Sequence, residues 1–335
     1  MTNRTPAPRA VLAAALALIG LLTLRPGGPG EAGAAGPDPA DLLANLGLYL
    51  PLGLAARRQG IGLPRAVSLG AGVSLLVELA QWLVIPGRHA SPWDLLANTA
   101  GAWAGAALPL PALAAVPVLA WLAGPLLLAP APPASPRWWG QWAHHFGGTI
   151  PFAGRVDAVA LNGIETPDHE LSSPTTDSLR LAFRRPPLTL LVAFDPAPTP
   201  PGGLAHLASV ADGRGRTVAG AWQRQDAVEV TWHSRGTALG LRPPSARADG
   251  LLAALGEGPV TLRVSIGRGA IGFSAGDGAR DAGASLRLGP WEGWRLLWPF
   301  APPPTTPARI VSLLWTLACV GPAAGVAWVL RRRRN

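Results

Sequence analysis

Six long apolar stretches divide the chain, and a region of alternating polar and apolar residues separates the fifth stretch from the sixth. The stretches lie at 10–24, 42–56, 66–85, 95–108, 111–129 and 308–330. A helix needs about 20 apolar residues to cross the hydrocarbon core of a bilayer, and about 17 can suffice. The pattern therefore predicts a multi-domain chain with six membrane-spanning helices, five of them within residues 1–130.

Most of the arginine residues that flank these predicted spans lie on one side of them. The loops and termini of that side contain nine of them: Arg4, Arg9, Arg57, Arg58, Arg65, Arg331, Arg332, Arg333 and Arg334. The loops of the other side contain the acids Glu31, Asp38, Asp41 and Asp94. Because arginine-rich loops stay in the cytoplasm, we expect both termini to be cytoplasmic and residues 130–307 to lie outside. A cleaved signal peptide is the alternative for the first stretch, and it leaves the later spans unchanged.

The composition agrees with a membrane protein. The chain is 49% hydrophobic and only 14% charged, whereas soluble proteins have about 25% charged residues. Its net charge of +9 would fit a nucleic-acid partner, but the 16 arginines between 135 and 300 are nearly balanced by 14 acids. The excess basic charge flanks the apolar stretches, so no nucleic-acid partner is predicted. The one cysteine, Cys319, excludes an intrachain disulfide.

The pentapeptide Asp-Leu-Leu-Ala-Asn occurs twice, at 41–45 and at 94–98. Both copies open a stretch predicted to run from outside to inside, where an acid can cap free N–H groups and meet the positive end of the helix dipole. The two asparagines would lie about 6 Å deeper. Each copy follows a stretch that runs the other way, so the first four stretches would form two helix hairpins related as a parallel repeat. In a chain rich in leucine and alanine, chance recurrence is the alternative.

Polar and small residues follow one face of three predicted helices at steps of three or four. These residues are Asp41, Asn45, Tyr49 and Gly53; Gly70, Ser74, Glu78 and Gln81; and Asp94, Asn98, Gly101 and Gly105. Polar side chains at membrane depth usually face a bundle interior or a wet cavity. The sequence therefore predicts an outward-opening polar pocket with six binding residues. They are Asn45, Glu78, Gln81, Arg88, Asp94 and Asn98.

Glu78 is the candidate catalytic residue, because it lies about 10 Å inside its predicted span. It can act as a general acid or base or as a proton carrier. Alternatively, it joins Gln81, Asn45 and Asn98 in hydrogen bonds that hold the helices together. Arg88 can bind phosphate or carboxylate through a bidentate fork, or can pair with a nearby acid of the chain.

The order of these motifs resembles the VanZ-like family over residues 10–108. The resemblance rests on Asn45, Pro51 and Gly53; on Glu78 and Gln81; and on Pro86, Gly87, Arg88, Asp94, Asn98 and Gly101. The family takes its name from a teicoplanin-resistance protein. The resemblance implies a bacterial cytoplasmic (inner) membrane protein linked to the cell envelope and to glycopeptide resistance. It brings no catalytic roles, so a non-enzymatic protein is preferred and the question of an enzyme stays open.

Residues 135–300 predict an extracytoplasmic all-β sandwich, because short alternating segments follow one another between Gly, Pro and Asp turns. The predicted strands are 155–161, 179–184, 188–194, 227–233, 237–242, 259–266 and 270–274. The segments 152–161, 188–196 and 259–278 resemble strands of laminin-G or concanavalin A-like jelly rolls. That resemblance implies binding of an envelope glycan or a partner protein, in some cases with calcium.

The polar residues of this sandwich predict no cofactor. Asp157, Asp277 and Asp281 lack the compact spacing of a calcium loop, so surface charge is the preferred interpretation and calcium the alternative. His144, His145 and His233 lack partners at metal-ligand spacing and are predicted to lie on the surface, and no metal site is predicted. Tryptophans near both ends predict anchoring at the membrane interface, with sugar stacking as the alternative. They are Trp138, Trp139, Trp142, Trp291, Trp294 and Trp298.

These observations predict an envelope protein with a polar intramembrane pocket and an external sandwich that binds glycan or a partner protein. The alternative is an intramembrane enzyme that acts on a lipid-linked envelope substrate, with Glu78 as acid or base. A third hypothesis is a membrane anchor that only holds the sandwich.

Overall fold

The computed structural model describes residues 8–24, 39–85, 90–146, 149–200, 203–255 and 258–297. The chain divides into two compact units, of which the second extends from Ala123 to Leu296. The predicted span at 308–330, Arg88, Trp298, Cys319 and the arginine tail lie outside the described residues.

Five helices lie where the first five apolar stretches predict them. They are α1 (Pro8–Thr23), α2 (Pro39–Arg58), α3 (Leu63–Leu83), α4 (Pro92–Ala107) and α5 (Leu110–Leu127). The break between α4 and α5 follows from Pro109, since the helical region is disfavoured for a residue that precedes proline. Leu108 accordingly has an extended backbone, with φ −80° and ψ 143°.

Both copies of the repeated pentapeptide begin a helix in the same register. Pro39 and Pro92 are the first residues of α2 and α4, so Asp41 and Asp94 are each the third residue of their helix. The capping role predicted for Asp94 belongs instead to Ser91, whose hydroxyl accepts the Asp94 backbone N–H at 3.4 Å. Proline favours the first helical position because its missing N–H would have no partner there.

Helices α2 and α4 pack closely and run parallel. A Cβ on Gly101 would lie 2.2 Å from the Leu46 carbonyl oxygen, and one on Gly105 would lie 2.1 Å from that of Leu50. The contact points advance together along both helices, which is the parallel arrangement that the repeat predicts. Backbones approach this closely only where side chains are missing, as between helices in membranes.

Helix α3 packs against α4 and runs antiparallel to it. Gly70 of α3 lies against Ala102, and Ser74, one turn later, lies against Asn98, which is one turn earlier in α4. The ends of α3 and α1 also meet, because Gln81 reaches the carbonyl oxygen of Thr23. The C-terminal ends of α1 and α3 therefore lie at the same end of the bundle as the N-terminal end of α4.

One helix within the described residues, α3, is long and apolar enough to cross a membrane. The apolar parts of α1 and α5, at Ala10–Thr23 and Pro111–Leu127, are shorter. Helix α4 has only 16 residues, and α2 carries Asp41, Arg57 and Arg58 at its ends. Length and composition thus support one clear span, and the set of six predicted spans has no such support.

The second unit contains an all-β sandwich of two antiparallel sheets. Its strands are β1 (Trp138–Trp142), β2 (Arg155–Leu161), β3 (Ile164–Glu165), β4 (Leu188–Asp195), β5 (Ala205–Asp212), β6 (Thr217–Arg224), β7 (Ala227–Trp232), β8 (Ser245–Ala248), β9 (Val260–Ile266), β10 (Ala270–Gly276) and β11 (Asp281–Arg287). The five-stranded sheet has the order β1-β5-β6-β7-β8, and the six-stranded sheet has the order β11-β10-β9-β4-β2-β3. Two such sheets are consistent with the predicted jelly roll.

The sandwich core is built from alternate residues of both sheets. Leu188, Leu190, Val192 and Phe194 of β4 are buried, and the residues between them are half-buried. On the other sheet Trp232 is fully buried, and its indole N–H donates to the Leu128 carbonyl oxygen at 2.8 Å. This alternation is the signature of a strand with one face on a core.

Five of the seven predicted strands are confirmed, as β2, β4, β7, β9 and β10. The segment 179–184 is instead the end of helix α6 (Ser173–Phe183), which Ser172 caps and whose buried Leu179 and Phe183 are one turn apart. The segment 237–242 lies mostly in a loop after the short helix α7 (Arg235–Ala238), which begins with a capping box between Ser234 and Thr237. In both segments the capping residues favour a helix, although the apolar pattern predicts a strand.

The tryptophans near the sandwich ends are partly core residues. Trp138 is fully buried and packs edge-on against Phe183 at 5.8 Å between ring centres. Trp294 of helix α8 (Pro290–Arg295) is also buried. Trp142 donates its indole N–H to the Thr166 carbonyl oxygen. Interface anchoring is therefore wrong for Trp138 and Trp294, whose rings are covered by the protein itself.

The segments that enter and leave the sandwich lie side by side. A Cβ on Gly293 would lie 2.2 Å from the Cα atom of Gly124, and one on Gly124 would lie 3.0 Å from the Pro290 carbonyl oxygen. Neither position has room for a side chain. The two ends of this unit are consequently fixed next to each other.

Candidate functional site

A polar cluster lies inside the helical bundle at the end where α4 begins. Its members are Ser74, Glu78 and Gln81 of α3 and Asn98 of α4, and all four are buried. Glu78 is 6% exposed and Asn98 only 1% exposed. The face that sequence periodicity predicts on α3 thus points to the interior over its whole length, because Gly70 is buried as well.

Glu78, Gln81 and Asn98 each form a hydrogen bond with a group that is not among the predicted binding residues. The Ser91 backbone N–H donates to Glu78 Oε2 at 2.7 Å. Gln81 Nε2 donates to the Thr23 carbonyl oxygen at 3.1 Å, and Asn98 Nδ2 donates to Ser74 Oγ at 2.9 Å. The cluster therefore joins α1, α3 and α4, and Glu78 fixes the start of α4. These hydrogen bonds hold the helices together, as the alternative interpretation of Glu78 predicts. The partners of Glu78, Gln81 and Asn98 differ from the predicted ones.

The cluster also contains a polar atom whose hydrogen bonding is incomplete. Asn98 Oδ1 is buried and has no hydrogen-bond partner among the described residues. Tyr49 of α2 is fully buried nearby, with its hydroxyl beside Ser74 and Glu78. A buried acceptor without a donor costs about 1–3 kcal/mol. A bound group with an O–H or N–H would remove that cost.

The remaining predicted binding residues lie at the margin of this cluster or beyond the described residues. Asn45 is half-buried on α2, and Asp94 is half-buried in the first turn of α4. Arg88 belongs to the undescribed loop at 86–89. Ser74 and Tyr49 were predicted to lie on the inward faces but were not among the binding residues, and the structure places both within the cluster.

The outer surface of the bundle is apolar. Leu76 is 69% exposed and Trp82 is 67% exposed, and Leu83, Leu96 and Trp103 are exposed as well. Large apolar side chains are thus exposed on the outside of the bundle, whereas its interior contains the polar cluster together with apolar core residues such as Leu48 and Leu52. Soluble proteins show the reverse distribution, with charged groups outside.

In the sandwich, a second polar cluster surrounds His206 on the five-stranded sheet. His206 is 0% exposed, and its Nε2 lies 2.9 Å from Ser209 Oγ. Ser209 Oγ in turn donates to Gln141 Oε1 at 3.3 Å. Since the hydroxyl proton of Ser209 is used on Gln141, Nε2 of His206 is the donor to Ser209. The other ring nitrogen, Nδ1, is buried and has no partner within the described residues.

Aromatic rings enclose His206. Phe146 meets it edge-on at 4.8 Å between ring centres, and Trp222 meets it at 5.7 Å. Burial lowers the pKa of His206 to about 4, with a smaller contribution from nearby His144 against an opposing one from Asp168. The imidazole is therefore neutral at pH 7. The sequence pattern does not identify this residue, because its partners Gln141 and Trp222 come from strands far apart in the chain.

His233 is buried, so the prediction that it lies on the surface is wrong. Its Nδ1 lies 2.7 Å from the Ala131 carbonyl oxygen. Burial lowers the pKa of His233, although this hydrogen bond acts to raise it.

Asp212 is also buried, and burial alone would raise the pKa of its carboxyl group. Hydrogen bonds from the Arg216 side chain and from the Arg216 and Arg214 backbone outweigh this effect and lower the pKa. His233 and Asp212 therefore both stabilise the fold.

His144 and His145 are exposed, as predicted. His144 Nε2 lies 2.9 Å from Asp168 Oδ1, and His145 Nε2 lies 2.9 Å from the Thr149 carbonyl oxygen. No group of three or more His, Cys, Asp or Glu residues suited to a metal occurs in the part of the chain that the structure describes.

The acids considered for calcium have local structural roles. Asp157 pairs with Arg155 at 2.7 Å. Asp277 Oδ1 accepts the backbone N–H groups of Ala279 and Arg280 at 2.9 and 2.7 Å, which forms the turn between β10 and β11. Asp281 is the first residue of β11 and lies opposite Gly276.

The low pKa of His206 predicts that the sandwich loses stability in mild acid. An unfolded chain takes up this proton near pH 6.5 and the folded protein only near pH 4, so the stabilisation is complete above the first value and is lost as the pH falls to the second. The full shift corresponds to about 3 kcal/mol. Unfolding of the purified chain by urea across this pH range measures the loss.

His206→Gln should flatten that pH dependence, because the variant has no imidazole to protonate. The matched control is His145→Gln, an exposed histidine whose replacement should leave the slope unchanged. A smaller slope is expected to remain from His233. An unchanged slope in His206→Gln would contradict the assignment.

The helical part of the chain is similar to a known protein family. Residues 15–113 match the family model described as VanZ/LLP1. The match covers less than a third of the chain and supports the VanZ-like resemblance of the helical unit. No curated protein and no solved structure matches this chain. The jelly-roll resemblance of the sandwich thus rests on its two sheets alone.

Proposed function

We propose that this chain is a multi-pass envelope membrane protein of VanZ type, with a polar binding site inside its helical bundle and an extracytoplasmic sandwich. The VanZ/LLP1 match supports an envelope protein. The observation that carries the rest is the distribution of polarity in the bundle, where Glu78, Gln81 and Asn98 are inside and large apolar side chains are outside.

This distribution is favourable in lipid and unfavourable in water. Each exposed leucine or tryptophan side chain in water costs about 25 cal/mol per Å² of apolar surface. In a bilayer that cost disappears, and helices associate instead through close packing and interhelical hydrogen bonds. The glycine contacts between α2 and α4 and the hydrogen bond from Asn98 to Ser74 are interactions of these two kinds.

The charges give the bundle its orientation. Arg57, Arg58 and Arg65 are exposed around the loop between α2 and α3. Glu78 and Asp94 lie at the opposite end, where α3 finishes and α4 begins. Positively charged loops remain in the cytoplasm, so the polar cluster opens to the other side of the membrane. An odd number of spans before residue 130 then places the sandwich outside.

The polar cluster is proposed to bind the polar part of an amphipathic envelope molecule. Asn98 Oδ1 and the Tyr49 hydroxyl are buried without a hydrogen-bond partner among the described residues, so the cluster can offer a ligand both an acceptor and a donor. A lipid-linked cell-wall precursor has the required combination of an apolar chain and a hydroxyl-rich head, and binding it would connect the chain to glycopeptide (teicoplanin) resistance. Glu78 Oε2 already accepts the Ser91 backbone N–H, which favours binding over the alternative of an enzyme with Glu78 as acid or base. The sandwich is proposed to engage an envelope glycan or a partner protein.

Cysteine labelling tests the proposed topology. In a Cys319→Ser background, a cysteine replaces either the exposed Arg57 or the exposed Arg268 in the turn between β9 and β10. We expect a membrane-impermeant maleimide to label the Arg268→Cys variant in intact cells. The Arg57→Cys variant should be labelled only after lysis.

The two variants control for each other, since the same reagent and background are used for both. Labelling of Arg57→Cys in intact cells would reverse the orientation. Recovery of the chain in the soluble fraction, with both cysteines protected by the cell, would contradict a membrane protein.

A further inference from the structure

We propose that one end of the sandwich is a contact surface for anionic phospholipids of the outer leaflet. This surface, the sandwich base, consists of α7, α8 and the last turn of α5. Arg235 and Arg295 bind lipid phosphate, and Leu239 and Trp291 enter the layer between the headgroups and the acyl chains. The inference rests on the proposed function in one respect, namely that α5 crosses the membrane and the sandwich follows outside. It uses nothing of the polar cluster in the bundle.

Backbone contacts hold the three helices of the sandwich base together. A Cβ on Gly293 of α8 would lie 2.2 Å from the Gly124 Cα atom in α5. A Cβ on Gly236 of α7 would lie 3.3 Å from the carbonyl oxygen of Leu127, the last residue of α5. Because both contacts are made to backbone atoms, which cannot change rotamer, α7 and α8 have fixed positions against the end of α5.

The length of α5 sets the depth of the sandwich base. This helix has 18 residues and is therefore about 27 Å long, whereas the hydrocarbon core of a bilayer is about 30 Å thick. A helix of this length needs all its turns to cross the core, so its last turn lies at the outer boundary of the core. The headgroup layer beyond that boundary is only about 5–8 Å thick. Since α7 and α8 pack on this last turn, they lie within the headgroup layer.

Each of the two short helices exposes one arginine and one large apolar side chain four residues apart. Arg235 begins α7 and Leu239 follows its last residue, while Trp291 and Arg295 both belong to α8. Residues four apart lie on the same face of a helix. Leu239 is 62% exposed and Trp291 is 44% exposed, whereas Trp294 on another face of α8 is buried. Both helices thus present a mixed basic and apolar face.

The arginines of the sandwich base have no competing ionic partner. Neither of them forms an ion pair with another described residue. Glu292, the acid of α8, accepts the Gly289 backbone N–H at 2.8 Å at the start of its own helix. A guanidinium group without an acidic partner is suited to phosphate, which it binds through two parallel N–H···O bonds. The arginines therefore favour anionic lipids over neutral ones.

The large apolar side chains beside the arginines distinguish a lipid surface from other occupants. Leu126, in the last turn of α5, is 64% exposed as well. Tryptophan is favoured at headgroup depth, where its apolar ring and its N–H group are both accommodated. A protein partner would have to enter the headgroup layer to cover these side chains, and a free phosphate would leave them in water. The two kinds of side chain together fit a phospholipid surface.

Quenching by spin-labelled lipids tests this contact in the full-length chain. In a Cys319→Ser background, the exposed Ala238 of α7 is replaced by cysteine and labelled with a fluorophore. The chain is placed in nanodiscs of phosphatidylcholine, or of equal parts phosphatidylcholine and phosphatidylglycerol, both with a nitroxide lipid. We expect quenching of the label at position 238, with stronger quenching in the anionic discs. Arg235→Gln and Arg295→Gln should each lower the ratio of contacting to free label about fivefold in the anionic discs.

Ala279→Cys is the matched control, because the same exposed side chain is replaced in the turn between β10 and β11. Strand β11 has seven residues and is about 20 Å long, and α8 follows its other end. The label at position 279 should therefore escape quenching. Arg280→Gln in the same turn controls for the loss of one exposed positive charge and should have no effect on the label at position 238.

Three results would overturn the inference. They are equal quenching at positions 238 and 279, equal quenching in neutral and anionic discs, and wild-type quenching in both arginine variants. A chain that enters the discs without quenching at position 238 overturns the inference alone and leaves the proposed function standing. A chain that does not enter the discs contradicts the proposed function, and the inference with it.

Discussion

Gly101→Ala is expected to prevent the helical bundle from folding. The added methyl group would lie 2.2 Å from the Leu46 carbonyl oxygen, which belongs to the backbone of α2 and has no rotamer to relieve the contact. The two helices would have to move apart, which separates Gly105 from Leu50 and weakens the packing of Ala102 on Gly53. Overpacking costs about 1–3 kcal/mol for a single methylene in a deformable core. A rigid backbone contact is expected to reach the upper end of that range or exceed it.

Gly72→Ala is the matched control for this substitution. Gly72 is exposed in the middle of α3, and a Cβ there would meet nothing within 4 Å. The same chemical change should therefore be neutral or stabilise the helix by about 1 kcal/mol. Yield of monodisperse protein in detergent and its thermal unfolding measure both variants. Equal behaviour of Gly101→Ala and Gly72→Ala would contradict the close packing of α2 and α4.

Glu78→Gln and Glu78→Ala are expected to separate two roles of this side chain. Glutamine keeps an oxygen that accepts the Ser91 backbone N–H, whereas alanine leaves that buried N–H without a partner. We expect Glu78→Ala to lose about 1–3 kcal/mol of stability and Glu78→Gln to remain folded. If the negative charge takes part in ligand binding, Glu78→Gln should nevertheless lose function.

Teicoplanin susceptibility of a bacterium that expresses the protein measures this loss. The expected result is wild-type expression of Glu78→Gln together with loss of whatever protection the wild type gives. Gln59→Glu, at the opposite end of the bundle beside Arg58, changes one charge in the opposite sense and is expected to leave the protection unchanged. A Glu78→Gln variant with wild-type stability and full protection would leave only the anchoring role, and one as unstable as Glu78→Ala would contradict the hydrogen bond to Ser91.

Much of the helical unit follows from the sequence because apolar runs and helical periodicity act together there. The steps of four between Gly70, Ser74 and Glu78 predict one face, and that face is buried. The glycines of α4 predict a close helix contact, and they make one with α2. What the pattern could not identify is the partner of each polar group, since Ser91 and Thr23 contribute their backbone, which carries no sequence signal.

The sandwich is harder to predict because two strands of its five-stranded sheet lack a long apolar run. Strand β5 consists mainly of Ala, His and Ser, and β6 mixes Ala and Gly with Thr, Gln and Arg, whereas β4 has the run Leu-Thr-Leu-Leu-Val-Ala-Phe. Their hydrogen bonds to neighbouring strands decide the fold. The surroundings of His206 depend on the same pairing, since Gln141 and Trp222 reach it only across the sheet.

The contact between Gly124 and Gly293 has a consequence for how such a chain arises and changes. A domain whose first and last residues touch can be inserted into, or removed from, a connecting loop without moving the segments on either side. In this chain the cut would fall at the two glycines, and a few residues would close the gap. The sandwich thus has the adjacent ends that domain insertion requires, and a chain without it would need only a short turn in its place.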